Sequence, residues 1–460
     1  CIDIAVWAMS AEAERAPTER LHPSRVWYVV NRRLLVDEGA ERALRLSRLL
    51  SDPAGEASAS YSGENRPHAT EVLSIMAERL ASRTSVAQQE GPLHVGRLRG
   101  GIAIGELPTN PAQPAVLLAT VPMFGSRLLF RGYGASRYTR SLDASYAGTD
   151  SLVLLDEAHL ADQLRTTAGQ LVEADPSSQD VLPGKRSEPR LVALTATGNP
   201  EAERFELDES DLSSPIVAQR VNARKPVRLL ETRKPSRART LAEAATAELR
   251  NREQPAAVVV FANTAALVPD VHKALLKTAK GLVAPDDVVV LTGRFRGDDA
   301  TRIREQLLNG PASLRSGRTR SALPAHRVVI ATQTLEVGAD LDFDILISES
   351  AGVRAITQRL GRLNRLGEAT SETPAVIVHA ADQKADPVYG TEPAEVWNRL
   401  KALANPDLGP LNTALLGDPM DQGARCPELL PNHLDEWAKT TDPPVGEAPV
   451  DLFINGIEEN

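Results

Sequence analysis

The chain of 460 residues is poor in cysteine and has no long apolar segment. Its two cysteines, Cys1 and Cys426, lie far apart and form no C-x-x-C pair. That pattern excludes a disulfide framework and favours a reducing, cytoplasmic compartment. No apolar run approaches the ~18 residues that a membrane-spanning helix requires, so we expect no membrane partner.

Positive charge is also in short supply, because the formal net charge is −9. A protein of this charge that binds nucleic acid must concentrate its cationic side chains in one groove. The hydrophobic share of 42% is that of ordinary globular cores. The length favours roughly two to three domains of about 150 residues each.

Short β-branched runs alternate with helical stretches, which is typical of α/β folds with parallel sheets. The pattern predicts strands at 26–30, 115–120, 152–155, 191–195, 227–230, 257–261, 288–291, 328–331, 345–348 and 375–379. It predicts helices at 2–9, 240–252, 264–278 and 389–404. We place one α/β domain at 1–222, a second at 223–385, and a helical and irregular C-terminal extension at 386–460.

Residues 156–159 read Asp-Glu-Ala-His and follow the apolar run 152–155. Carboxylates at the tip of a buried strand face the crevice where open α/β sheets bind ligands. Asp156 would hold Mg²⁺ through water, and Glu157 would orient and deprotonate an attacking water. His159 would sense the neighbouring domain. An acidic loop after a strand is the alternative interpretation.

Two hydroxyl side chains, Thr195 and Thr197, end the next predicted strand. They can hydrogen-bond the carboxylates and the partner domain, and so couple the two. An ordinary strand that ends in a turn is the alternative.

The second half contains two strand ends that suit a nucleic-acid phosphate. Thr264 ends a strand and begins a predicted helix, whose N-terminus favours phosphate. Arg294 repeats this arrangement one βα unit later. N-cap chemistry is an equally good interpretation of each segment.

The segment 331–342 follows another predicted strand. Thr332 and Thr334 can reach a backbone phosphate. Gly338 allows a close approach, and Asp340 can bond a ribose hydroxyl.

Residues 358–365 read Gln-Arg-Leu-Gly-Arg-Leu-Asn-Arg. Arg362 and Arg365 are three apart, which predicts that they share one helical face. Such arginines can neutralise charge on a transferring phosphoryl group. A solvated basic helix is the alternative interpretation.

Together these segments resemble the superfamily 2 helicases. Residues 331–342 and 358–367 are more closely similar to the CRISPR-associated helicase/nuclease of type I interference systems, a DEAH-type helicase. Residues 29–38, 97–101 and 125–134 fit that family as well. The resemblance implies two tandem RecA-like domains with parallel sheets flanked by helices, which bind ATP and Mg²⁺ between them.

The resemblance further implies an ATP-dependent translocase that acts on single-stranded DNA in antiviral defence. An RNA-guided CRISPR surveillance complex would recruit it. Gln358 would join His159, Gly338 and Asp340 in binding the nucleotide. The strand contacts implied are Arg97, Arg99, Gly101, Thr120, Thr264, Arg294, Thr332 and Thr334.

Two features of that family are absent from the sequence. No G-x-x-x-x-G-K-[ST] phosphate loop occurs, and none of the eight histidines is followed by the aspartate of a His-Asp nuclease centre. We therefore expect a helicase fragment without phosphate loop and nuclease domain, which on its own binds ATP weakly and hydrolyses it poorly. A catalytically disabled nucleic-acid-binding protein and an RNA helicase of the same superfamily are the alternatives.

Overall fold

A computed structural model describes most of the chain in two compact units. The described residues are 1–60, 65–84, 91–100, 107–174, 189–195, 207–295, 297–336, 340–369, 371–419, 426–441 and 449–456. Unit 1 comprises Cys1–Gly198 and Gly423–Asn460, and unit 2 comprises Asn199–Gln422. Gly101, Thr197 and Gly338, which the sequence predicts to bind ligands or couple domains, lie outside the described residues.

Unit 1 contains a five-stranded sheet in the order β2-β3-β1-β4-β5, and all its strand pairs are parallel. The strands are β1 (Arg25–Val30), β2 (His94–Leu98), β3 (Ala115–Thr120), β4 (Ser151–Asp156) and β5 (Arg190–Leu194). All six residues of β3 are buried, as expected for a central parallel strand covered on both faces. The sequence did not predict β2, because Gly96 and Arg97 interrupt its apolar pattern.

Helices cover both faces of this sheet. They are α1 (Ile2–Ala11), α2 (Arg33–Ser51), α3 (Pro53–Ser60), α4 (Asn65–Ser82), α5 (Val121–Leu128), α6 (Arg140–Gly148) and α7 (Asp162–Ala174). Helices α5, α6 and α7 pack on the face that carries Trp27, Leu117 and Leu155. On the opposite face α2 approaches the sheet closely at Gly39, where a Cβ would lie 2.5 Å from Leu118.

Unit 2 contains a six-stranded sheet in the order β6-β11-β10-β7-β9-β8, again with parallel pairs throughout. Its strands are β6 (Val227–Thr232), β7 (Ala257–Phe261), β8 (Val288–Leu291), β9 (Arg327–Ala331), β10 (Ile345–Glu349) and β11 (Ala375–Ala380). Its helices are α8 (Glu209–Ser213), α9 (Pro215–Val221), α10 (Arg237–Arg250), α11 (Val268–Thr278), α12 (Gly297–Leu308), α13 (Val353–Leu360) and α14 (Glu392–Lys401). Helices α10 and α11 cover one face, and α12, α13 and α14 cover the other.

The division between the units falls at 198/199, whereas the sequence places a domain boundary at 222/223. The acidic stretch before residue 222 folds as α8 and α9 within unit 2. A capping box starts α8: the Asp208 side chain accepts from Asp211 N, and the Asp211 side chain accepts from Asp208 N. Helix α9 is attached by Gln219 Nε2, which donates to Leu366 O at 3.2 Å.

The predicted C-terminal extension at 386–460 does not form a separate body. Its first part, with α14, belongs to unit 2, and the part after Gly423 returns to unit 1. That returning part contains α15 (Pro431–Ala438) and α16 (Asp451–Asn455). Trp437 is fully buried there, and its ring makes an edge-to-face contact with that of Phe453, with the ring centroids 5.2 Å apart. None of the helices within the described ranges is long and apolar enough to cross a lipid bilayer.

Lys225 is a buried cation of unit 2 that shortly precedes β6. Its Nζ donates to Leu360 O at 2.7 Å, at the C-terminus of α13, where the helix dipole favours positive charge. Burial nevertheless lowers the pKa of Lys225 to about 8, and the charge of Asp342 only partly opposes this. The folded unit therefore binds this proton less tightly than the unfolded chain does.

We expect the stability of the wild type, relative to a Lys225→Met variant, to rise with pH. Between pH 8 and the ordinary lysine pKa of 10.5, the unfolded chain holds a proton on Lys225 that the folded chain has lost. The difference in free energy of unfolding should therefore grow by about 3 kcal/mol across this window. Urea denaturation at several pH values measures it, and Lys401→Met, at an exposed lysine, is the control. A difference that stays constant with pH would refute the lowered pKa.

Candidate functional site

The chemistry-bearing side chains of unit 1 lie along one edge of its sheet. Parallel strands bring their carboxyl ends to the same edge, which is where open α/β sheets bind ligands. In the order of the sheet, the residues at or just after the strand ends are Arg99, Thr120, Asn31, Asp156 and Thr195. The residues predicted to contact a nucleic-acid strand thus lie on the β2–β3 side of the sheet. The residues predicted to bind the nucleotide or to couple the domains lie on the β4–β5 side.

Asp156 is held at the end of β4 by two donors. Tyr28 Oη donates to its Oδ2 at 2.5 Å, and Glu157 N donates to its Oδ1 at 3.0 Å. Burial, and then the charge of Asp156, raises the pKa of Tyr28 well above its ordinary value, so the hydroxyl remains a donor. Sequence reasoning missed Tyr28, because only the register of β1 against β4 brings it beside the carboxylate.

Glu157 adopts the left-handed conformation, with φ 51° and ψ 48°. A non-glycine residue there carries a backbone strain of about 1–3 kcal/mol, a feature that concentrates at functional sites. His159 Nδ1 lies 3.5 Å from Glu157 Oε2 and 3.3 Å from Thr195 Oγ1. The structure therefore joins Glu157, His159 and Thr195, and the histidine bridges the predicted carboxylate and hydroxyl.

The carboxylate arrangement fits Mg²⁺, which needs few protein ligands. No group of three or more His, Cys, Asp or Glu side chains with metal-binding geometry occurs among the described residues. Mg²⁺ is commonly bound through one or two carboxylates while it keeps several waters. Asp156, with its two oxygens oriented by Tyr28 and Glu157, can act as such a single ligand.

Arg97 and Arg99 form a basic pair on the β2 side. Asp37 of α2 binds both, at 3.2 Å and 2.6 Å, and each arginine side chain remains more than one-third exposed. A nucleic-acid phosphate could replace Asp37 as the partner of these arginines, or bind them beside it. Thr120 differs from them, because it is buried at the junction of β3 and α5.

Four predicted phosphate contacts of unit 2 follow neighbouring strands of its sheet. Thr264 follows β7, Thr332 and Thr334 follow β9, and Arg294 follows β8. The hydroxyls of Thr332 and Thr334 lie 3.3 Å apart, and a Cβ at Gly293 would lie 3.6 Å from Thr334 Oγ1. These residues form what we call the unit 2 strand-end cluster: Thr264, Arg294, Thr332 and Thr334.

The helix predicted to begin at Thr264 begins at Val268. Residues 264–267 form a turn, in which Leu267 N donates to Thr264 O at 3.1 Å. Thr264 is therefore a turn residue and not the first residue of a helix. Its place beside β9 remains suitable for a phosphate contact, but without the N-terminal helix dipole.

The prediction that Arg362 and Arg365 share a helical face is wrong. Helix α13 ends at Leu360, and the chain then pairs with the segment before β10, where Phe343 N donates to Arg362 O at 2.9 Å. Arg362 is buried and donates to the carbonyl oxygens of Leu335 and Glu336. Arg365 is 39% exposed, with Nε 3.9 Å from Asp340 Oδ1, so it is the accessible arginine of the two.

Arg359, which the sequence did not indicate as a site residue, is a deeply buried cation of unit 2. It is fully buried and pairs with Glu336 at 2.8 Å. It also donates to Asn263 Oδ1 at 3.0 Å and to Ser348 Oγ at 2.8 Å. Its guanidinium lies 5.0 Å from the Phe261 ring centroid. It therefore fixes the loop before residue 337 relative to the ends of β7 and β10.

Two further ionisable groups complete this network. Tyr389 Oη donates to Glu336 Oε1 at 3.2 Å, and burial raises the pKa of Tyr389 to about 12. Burial also raises the pKa of Glu349, although hydrogen bonding from Asn263 N and the charge of Arg237 act against it. Tyr389 comes from the predicted C-terminal extension, so that region contributes to the core of unit 2.

Comparison with known proteins finds a family match within unit 2. The family model described as the C-terminal part of the CRISPR-associated nuclease/helicase Cas3 matches residues 254–368. The CRISPR-associated nuclease/helicase Cas3 of Streptococcus thermophilus is 32% identical over 93 residues, which are 20% of this chain and 9% of that protein. The predicted resemblance to the CRISPR-associated helicase/nuclease family, in its helicase portion, is confirmed.

Solved structures of T. fusca Cas3 have a similar fold. The ATP and ADP structures match with TM-scores of 0.54 and 0.55 at 16% identity, and each match covers 86% of this chain and 46% of the other. The predicted α/β fold with two parallel sheets flanked by helices is confirmed. The chain spans about half the length of these structures and a smaller share of the S. thermophilus protein.

The left-handed backbone at Glu157 predicts an unusual order of variant stabilities. Glu157→Gly should be more stable than Glu157→Ala by about 1 kcal/mol, because both lose the carboxylate and only glycine is unstrained there. Thermal or urea denaturation measures this. The control is Glu71, an exposed residue in the interior of α4, where Gly should be less stable than Ala by about 1 kcal/mol. Equal stability of the Glu157 variants would contradict the assigned backbone.

The burial of Arg359 predicts a large stability loss on its removal. Arg359→Met should destabilise unit 2 by about 3–5 kcal/mol, because Glu336 then remains buried without its cation. Arg365→Met, six residues later on an exposed side chain, should change stability by about 1 kcal/mol or less. Adding Glu336→Leu to Arg359→Met should restore part of the loss. Similar effects at both arginines would contradict the buried pair.

Proposed function

Because the chain resembles the helicase portion of CRISPR-associated Cas3 proteins, we propose that it is the motor portion of an ATP-dependent single-stranded DNA translocase in antiviral defence. The observation that carries this proposal is the unit 2 strand-end cluster. Hydroxyl and guanidinium groups on three neighbouring strands suit the backbone of a strand, not the edges of its bases. An RNA-guided CRISPR surveillance complex is the proposed recruiting partner.

Asp156 and Glu157 are the residues that we propose carry out the hydrolysis of ATP. Asp156 would hold Mg²⁺ through water, and Glu157 would orient a water and accept its proton at a side-chain oxygen. The ring nitrogen Nδ1 of His159 contacts both Glu157 and Thr195, and so couples the position of the carboxylate to that of the hydroxyl. ATP would supply the transferable phosphoryl group. Asp340 and Gln358 are proposed nucleotide contacts, and Arg365 is the proposed charge-neutralising arginine, with Arg362 fixing the loop beside it.

The residues present fit the cation and the water better than the triphosphate. The sequence has no phosphate loop, so neither the backbone cradle nor the lysine for the terminal phosphates is at hand. This observation favours a second candidate, in which the chain binds nucleic acid without hydrolysing ATP. Both candidates share the strand-end cluster and differ in whether nucleic acid stimulates hydrolysis.

We expect the full chain to bind single-stranded DNA with little sequence preference and with strong salt dependence. Arg294→Ala should weaken binding several-fold on every sequence and lower the slope of log K against log salt by about 0.7, the value for one phosphate contact. Fluorescence anisotropy with labelled oligonucleotides over a range of KCl measures both.

Arg302→Ala is the matched control, because Arg302 is an exposed arginine of α12 that pairs with Asp299 outside the cluster. It should leave affinity and slope unchanged. Affinity that is independent of salt would refute the backbone-binding proposal. Competition by RNA of the same sequence that matches DNA would favour an RNA helicase, because contact to the ribose hydroxyl separates the two substrates.

A further inference from the structure

The connection between α12 and β9 buries two arginine side chains. Those of Arg318 and Arg320 are only 6% and 16% exposed, whereas their neighbours Gly317 and Thr319 are exposed. A guanidinium keeps its charge in a protein, so a buried one needs carboxylates or other acceptors beside it. The partners of these two arginines therefore show which parts of unit 2 each of them holds.

Arg320 binds two carboxylates at once. Its Nη2 pairs with Asp342 Oδ2, and its Nη1 pairs with Asp344 Oδ1. Asp342 is 1% exposed, and burial raises its pKa, while the charge of Arg320 acts in the opposite direction. Arg320 therefore favours the ionised form of a carboxylate that would be costly to bury without a cation.

The same two groups hold the turn that carries Arg365. Arg365 N donates to Asp342 Oδ1 at 2.9 Å. The preceding residue, Asn364, has its side-chain Oδ1 3.4 Å from Arg320 Nη2. Its backbone is left-handed, with φ 44°, a conformation that a non-glycine residue adopts only when its surroundings support it. Arg320 thus binds Asn364 directly and the backbone of Arg365 through Asp342.

Arg318 is two residues away and holds a different part of unit 2. Its Nη2 donates to Asp344 Oδ2 at 2.7 Å, and the same oxygen accepts from Ala257 N, at the start of β7, at 2.8 Å. Within the described residues Arg318 makes no hydrogen bond to Asp342 or to Asn364. It is therefore a matched control for Arg320, buried in the same connection but not bound to the Arg365 turn.

We propose that Arg320 is a positioning residue for Arg365, so that the connection between α12 and β9 determines where the Arg365 guanidinium can reach. The contact from Arg365 Nε to Asp340 Oδ1 is long, 3.9 Å, and the side chain is 39% exposed, so its position depends on the backbone that carries it. A misplacement of about 1 Å can lower a rate roughly a hundredfold. The inference rests on the proposed function, in which Arg365 neutralises charge on a phosphoryl group.

Hydrogen exchange of the full chain tests this positioning without any nucleotide. The Arg365 amide lies outside the helices and strands, so its protection reports the hydrogen bond to Asp342. In Arg320→Met this amide should exchange about tenfold or more faster than in the wild type, the effect of losing a charge-assisted hydrogen bond. In Arg318→Met it should change little. Arg320→Lys should lie between the two, because lysine is a point charge and cannot bridge two carboxylates as a guanidinium does.

Exchange within β11 shows whether a variant has merely lost stability. Both methionine variants remove a buried cation, and the amides of Ala375–Ala380 record the resulting loss in the whole unit. Faster exchange at Arg365 that is matched in β11, or matched in Arg318→Met, overturns the inference. A wild-type Arg365 amide that exchanges as fast as an unstructured peptide overturns it without any variant, so the test holds even if Arg320→Met does not fold.

Binding of methylanthraniloyl-ATP with Mg²⁺ separates this inference from the proposed function. Arg320→Met and Arg365→Ala should weaken binding by a similar factor, and the double variant should bind no more weakly than Arg365→Ala alone. Arg318→Met should bind as the wild type does. If Arg365→Ala weakens binding and Arg320→Met does not, or if the two effects multiply, the inference fails and the proposed function stands. If the wild type binds no nucleotide while the Arg365 amide responds as expected, the positioning of Arg365 stands and the ATP-dependent function fails.

Discussion

The arrangement of unit 2 depends on one buried guanidinium, that of Arg359. It contacts segments that follow β7 and β9, the end of β10 and the tyrosine that precedes α14. A buried cation requires an anion and hydrogen-bond acceptors around it, because desolvation otherwise disfavours its charge. Glu336, Asn263 and Ser348 must therefore converge on this point. Thr264 is the neighbour of Asn263, and Thr332 and Thr334 shortly precede Glu336, so the pair that Arg359 makes with Glu336 helps to position these three members of the strand-end cluster.

In unit 1 an uncharged hydroxyl, and not a buried cation, holds a site residue in place. The hydroxyl of Tyr28 holds Asp156 from the adjacent strand, and the backbone N–H of Glu157 holds its other oxygen. The strained conformation of Glu157 then directs its side chain toward His159 and Thr195. Strand register and one unusual backbone angle, and not a network of charges, fix the candidate catalytic carboxylates.

The sequence predicts the strands well because buried parallel strands are continuous apolar runs. Ala115–Thr120, Ala257–Phe261 and Val288–Leu291 have the bounds expected from that pattern. The sequence did not predict β2, because the apolar pattern of this strand is interrupted. It did not indicate Tyr28 and Arg359 as site residues, because their partners come from distant segments. Spacing along a chain cannot tell that Arg359 and Arg362 are buried while Arg365 is exposed. Nor does it show that the helix ends before Arg362 and Arg365. The roles of the site residues stay predictions.

The return of the C-terminal segment to unit 1 has a consequence for folding during synthesis. The apolar faces of α5 and α7 are covered by Trp437, Phe453 and Ile454, which lie beyond the whole of unit 2 in the chain. Unit 2 can bury its core as soon as it emerges from the ribosome. Unit 1 must wait for residues that are translated after the whole of unit 2, and until then it exposes a surface that favours aggregation. Unit 1 is therefore begun before unit 2 and completed after it.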